Sequence, residues 1–152
     1  MQVQSFTTEL KHYRTLKNGV RVAFVQANKS HKNARKACIS VTLNQGHFHA
    51  TDFPEGFAHL YEHMLFNAST KYKNTNELDN HLFTCHGQVN GWTQDLLTNF
   101  QLNCDHEGFL KACEILIDRL SAPLFELEDI EREITAIDAE FMSIKRDPVR
   151  QL

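Results

Sequence analysis

His59, Glu62 and His63 lie within one five-residue stretch, and their types and spacing describe a site for metal-assisted hydrolysis. On a helix, residues four apart share a face, so His59 and His63 present two imidazoles to a single ion such as zinc. Glu62 follows His59 by three residues and sits on the flank of that face. There its carboxylate is placed to take a proton from a metal-bound water instead of ligating the ion. The run Ala58 to Phe66 is rich in helix formers, and Pro54 stands near its start, where a missing N–H costs least, so the pattern predicts a helix. Two histidines and a glutamate also coincide on ordinary helices, so the reading needs a further ligand from elsewhere in the chain.

A second segment, Glu126 to Arg146, offers one. Ile130, Ile134, Ile137, Phe141 and Ile144 recur at spacings of four, three, four and three, which predicts an amphipathic helix packed along that stripe. At the helical turn angle Glu133 and Glu140 fall together on one margin of the stripe, whereas Glu131 and Asp138 point further toward solvent. Carboxylates at the border of a buried face need a cation or hydrogen-bond donors, because an unpaired charge there is costly. A zinc ion would satisfy them, and so would lysine or arginine partners along a solvated edge.

With both segments in view, the chain resembles the N-terminal part of an M16 metallopeptidase (the pitrilysin/insulysin inverzincins), whose hallmark is H-x-x-E-H with a downstream glutamate ligand. The likeness runs through Gly56-Phe57-Ala58-His59-Leu60-Tyr61-Glu62-His63-Met64-Leu65-Phe66, Ser69-Thr70-Lys71-Tyr72, His86-Gly87, Asn90, Pro123-Leu124-Phe125 and Glu131-Arg132-Glu133, nearly the whole chain. The resemblance implies that His59, His63 and Glu140 bind one zinc ion, that Glu62 is the general base, and that Glu133 orients a ligand. It also implies hydrolysis of peptide bonds in peptides or small proteins, with Asn90 and Gly91 on a strand edge to which an extended substrate adds. Gln45-Gly46-His47 and Gln88-Val89-Asn90-Gly91-Trp92-Thr93 depart from the commoner versions of these segments. Gly91 as a strand bulge and Trp92 as a core aromatic is an equally available reading.

The expected fold class is α+β: an M16 (LuxS/MPP-like) metallohydrolase domain, an antiparallel sheet with helices packed on one face. Asn18-Gly19 marks a tight hairpin between Tyr13–Leu16 and Val20–Val25, followed by a polar loop from Ala27 to Arg35 and a strand over Ala37–Leu43. His47 and His49 are alternative ligands by proximity to the motif, read as surface histidines. A helix over Thr75–Thr84 precedes strands at Gln88–Thr93 and Thr98–Asn103. A further helix runs to Leu120, capped by Asp105 and stopped before Pro123.

Composition sets the outer limits. With 152 residues, 41% of them hydrophobic, residues 1–152 suit one domain with a core, which the resemblance makes the first part of a zinc-binding peptidase domain. A net charge of −3 with scattered lysine and arginine gives no footprint for nucleic acid or an acidic membrane. No segment is apolar enough to span a bilayer, and Met1 to Leu10 lacks the apolar centre of a leader, so cytoplasm is preferred to a periplasmic location. The four cysteines form no C-x-x-C pair and read as buried reduced thiols. Because M16 peptidases are built from two or four homologous domains, the resemblance makes this chain a fragment. Its expected partners are the remaining domains and, through an unpaired sheet edge, a second copy. Later domains of the family help bind substrate and stabilise the oxyanion, so hydrolysis by these residues alone is expected to be weak or absent. The alternative function is a noncatalytic M16-like module that binds peptides or a partner subunit; such a module would be expected to have lost a ligand or the base.

Overall fold

The computed structural model describes residues 8–27 and 36–146. The expected polar loop, apart from Ala27, and the segment 147–152 lie outside them. The chain divides into two compact units, residues 1–35 and 36–152. Within the first, β1 (Thr8–Thr15) pairs antiparallel with β2 (Arg21–Ala27). Gly19 takes a left-handed φ of 85°, and Asn18 Oδ1 accepts from the Val20 amide at 3.2 Å, so the Asn-Gly pair makes the turn by conformation and by hydrogen bonding together. β1 starts five residues earlier than expected. Pairing with β2 recruits the polar stretch from Thr8, which has no strand periodicity of its own.

The second unit holds an antiparallel sheet in the order β3 (Lys36–Leu43), β5 (Thr98–Asp105), β4 (Gln88–Thr93), so β4 is an edge among the described residues. Strand alternation gives it two unlike faces. Ile39, Phe100, Leu102, Cys104 and Val89 face the helices, while Ser40 and Thr42 line up with Asn99 and Gln101 on the other side. Four helices complete the unit: α1 (Phe57–Met64), α2 (Glu77–Thr84), α3 (His106–Ser121) and α4 (Leu127–Arg146). The core forms where α2 and α3 cover the sheet. Leu78 and Leu82 meet Leu102, Cys104, Ala112, Ile115 and Leu116, each at most 2% exposed. The α+β expectation, an antiparallel sheet with helices on one face, describes this architecture.

Three local expectations are corrected. Asp105 is the N-terminal boundary of α3, but its side chain does not cap the helix. His86 Nδ1 donates to its carboxylate at 3.0 Å and Lys36 pairs with it at 3.4 Å, which holds the acid below its usual range. The α4 stripe is only partly used: Ile130 and Ile137 are half-buried, whereas Ile134 and Phe141 are 46% and 55% exposed. The helix is rotated so that Asp129, Glu133 and Ala136 also turn inward. Cys38 is exposed; Cys85 and Cys104 are buried, Cys113 is half-buried, and all four are free thiols. No helix among the described residues is long and apolar enough to cross a membrane.

Candidate functional site

α1 is only two turns long, too short to persist without tertiary support. Gly56 opens it with φ 87°, and Phe57 donates its amide to the Pro54 carbonyl at 3.1 Å. α1 packs against both α4 and β4, and this fixes where its side chains point. Beyond Met64 the chain winds on through short turns to Asn67. It is then tied to the entrance of α4 by a bridge between Ser69 and Pro123 and by the Leu124 amide donating to the Ala68 carbonyl. Arg119, 1% exposed, secures the same junction. Its guanidinium donates to the carbonyls of Phe66, Asn74 and Thr75.

His59, His63 and Glu140 converge, the two histidines through their helical spacing on α1 and Glu140 from α4. Nε2 of His59 and Nε2 of His63 are 3.2 Å apart, and Glu140 Oε2 lies 3.6 and 3.8 Å from them. Glu133 takes the other side of His63: its Oε2 is 3.1 Å from Nδ1. A carboxylate only accepts, so Nδ1 carries a proton, and in the neutral ring this leaves the His63 Nε2 lone pair facing its two neighbours. Burial raises the Glu133 pKa, but hydrogen bonds from His63 and Asn67 outweigh it and hold the carboxyl below its usual value.

The donor set fits zinc. Three atoms with these separations lie on a circle of radius about 2.1 Å, which matches zinc–nitrogen and zinc–carboxylate bond lengths of roughly 2.0–2.2 Å. Its chemistry agrees, two imidazoles and one carboxylate being a known catalytic zinc set that leaves a position open. His47 and His49 do not join this group. His49 instead accepts the Gly46 amide through Nδ1 at 3.1 Å.

Glu62 is 4% exposed, yet it lines the same open cleft of about 770 Å³ as the three donors. Thr93 donates to its Oε2 at 2.6 Å, the one hydrogen bond the carboxylate receives among the described residues. Its Oε1 turns toward β4, where a Cβ on residue 91 would lie 2.7 Å away, so Gly91 permits the close approach of strand and acid. Asn90 also lines the cleft, but strand alternation puts it on the opposite face of β4 from Gly91. Trp92, on that same outer face, is 36% exposed and is not a core aromatic.

Sequence reasoning missed Thr93, Asn67 and Arg119. Thr93 was accessible to it, since strand alternation sets it on the face of Gly91. Asn67 directly follows the apolar run Met64-Leu65-Phe66, and Arg119 shares the apolar helical face of Ala112, Ile115 and Leu116, positions where a polar residue is buried with a fixed partner.

Comparison with known proteins identifies the family and the fold. The chain is 32% identical over 117 residues to a nardilysin-like protein of Arabidopsis thaliana, covering 76% of this chain and 11% of that one. It is 30% identical over 135 residues to insulin-degrading enzyme-like 2 of the same plant, covering 88% and 14%. The crystal structure of pitrilysin superposes with a TM-score of 0.79 at 27% identity, over 98% of this chain and 16% of that one. The chain therefore spans under a fifth of the length of each. The profile of the family described as insulinase (peptidase family M16) matches residues 25–152, most of the chain. With a family model matched over most of its length and relatives at 30% identity or more, the chain belongs to the M16 family of peptidases.

Proposed function

We propose that this chain supplies the zinc-binding and water-activating half of an endopeptidase site. One observation carries the reading: three donor atoms 3.2 to 3.8 Å apart share a cleft with buried Glu62, which comes from the helix that carries both histidines. His59, His63 and Glu140 would hold the ion, and Glu133 keeps the His63 ring in the tautomer that leaves Nε2 free. Zinc bound there supplies a Lewis acid for the scissile carbonyl and makes water a better nucleophile near neutral pH. Glu62 acts as general base. Thr93 occupies Oε2, which leaves Oε1 to take the proton from the attacking water and pass it to the departing amine. The edge of β4 at Asn90 and Gly91 offers backbone donors and acceptors to an extended peptide substrate. Full activity belongs to a protein with the remaining M16 domains, and these residues form the first part of its zinc-binding domain.

The noncatalytic alternative is disfavoured because each ligand and the base are present. The test is Glu62→Gln in the full-length parent. Zinc content should stay at one per chain while peptide hydrolysis falls by at least a hundredfold, the usual scale for a general base. Hydrolysis at the parent rate would overturn the assignment of Glu62.

A further inference from the structure

Asn67 lies at the end of the α1 segment, four residues beyond His63, and is 7% exposed. Its amide touches both sides of one charged pair. Nδ2 donates to Glu133 Oε1 at 3.2 Å, and Oδ1 accepts from Arg132 Nη2 at 3.0 Å. The orientation of the amide is fixed by chemistry, since a carboxylate needs a donor and a guanidinium needs an acceptor. Arg132 is itself anchored by Asp129 Oδ1 at 2.6 Å, and the Asn67 backbone by the Met64 carbonyl at 3.1 Å. The two oxygens of Glu133 are thereby divided: Oε1 faces Asn67 and, at 3.4 Å, Arg132, while Oε2 faces His63 Nδ1.

We infer that Asn67 is a positioning residue for the metal centre, holding Glu133 in the orientation from which it fixes the His63 ring. The inference rests on the zinc site proposed above and adds to it a residue that touches neither the metal donors nor the cleft base. Arg132 alone cannot do the same work. It approaches Glu133 at 3.4 Å with more than half its side chain exposed, and its shorter contact is to Asp129. Without the buried amide, the Glu133 carboxylate is free to turn toward Arg132 and solvent, and the ring loses the partner that fixes its tautomer. Loss of a residue that orients a metal ligand through hydrogen bonds commonly costs 10–100-fold in metal affinity, and one step further removed the lower end applies.

Two variants of the chain test this, Asn67→Leu and Asn67→Asp. Leucine removes both hydrogen bonds. Aspartate keeps the acceptor for Arg132 but loses the donor and sets a second carboxylate against Glu133. Zinc affinity is read by competition with a chromophoric chelator, and the His63 Nδ1–H proton by NMR of histidine-labelled protein, zinc-free and zinc-loaded. The resonance is assigned through His63→Gln. The expected result is a zinc dissociation constant raised about tenfold in both variants, with faster exchange of the Nδ1–H proton in both metal states. An unchanged affinity and an unchanged Nδ1–H signal would overturn the inference. Should the leucine variant not fold, the near-isosteric aspartate variant decides alone. If the unmodified chain binds no zinc, the proposed site fails, and the zinc-free Nδ1–H signal still decides the role of Asn67.

Discussion

Glu133 and Glu140 lie seven residues apart on one helix margin and face different nitrogens of the histidine pair, so the different roles proposed for them can be separated by a pair of glutamine substitutions. Glu140 Oε2 faces both imidazole Nε2 atoms, so Glu140→Gln keeps an oxygen ligand and removes a charge. At the separation of about 2.1 Å that the donor triangle allows, a carboxylate and a doubly charged ion attract by about 4 kcal/mol even at the dielectric constant of water. That dielectric is the conservative choice because the side chain is 53% exposed. Affinity should therefore fall on the order of a thousandfold, at about 1.4 kcal/mol per decade. Glu133→Gln leaves all three donor atoms in place and loses only the charge behind His63, so its cost should be 10–100-fold. Both are measured by chelator competition, with circular dichroism to confirm the fold. A Glu140→Gln chain that binds zinc within tenfold of the parent would refute the reasoning, as would a larger loss for Glu133→Gln.

Two predictions concern parts of the fold outside the metal centre. Arg119→Met keeps the volume of a buried side chain but leaves the carbonyls of Phe66, Asn74 and Thr75 without their shared donor. Urea denaturation should show a loss of about 3 kcal/mol, and a loss below about 1 kcal/mol would mean that water replaces the guanidinium. Burial, with Cys85 beside it, pushes the Cys104 thiol up to about 11, so near pH 7.5 on the order of one molecule in three thousand holds a thiolate. Iodoacetamide should therefore label exposed Cys38 in the native chain and reach Cys104 only after urea is added; equal labelling rates would contradict the burial.

Much of the chain could be read without coordinates because its signals are local. The Asn18-Gly19 turn, the strand alternation from Ala37 to Leu43, and the helical spacing of His59 with His63 depend on dihedral preference and periodicity, which travel with the residues themselves. The α4 stripe was legible as helix but misjudged as packing surface. Periodicity reports which residues share a face and says nothing about which face meets a neighbour, and here Ile134 and Phe141 turn outward while Asp129 and Glu133 turn in. Asp105 misled for a related reason: its position at a helix start is local, but its carboxylate went to His86 and Lys36, which are distant in sequence.

The sequence by itself determined the donor types, the register of the two histidines and the presence of glutamates on a second helix, since each follows from residue identity at helical spacing. Only the tertiary structure decided which glutamate faces Nε2 and which faces Nδ1, that Thr93 holds one oxygen of Glu62, and that Asn67 joins Arg132 to Glu133. Those assignments depend on the angle and depth at which α4 and β4 meet α1. That geometry is set by the whole core beneath them and by no single stretch of residues.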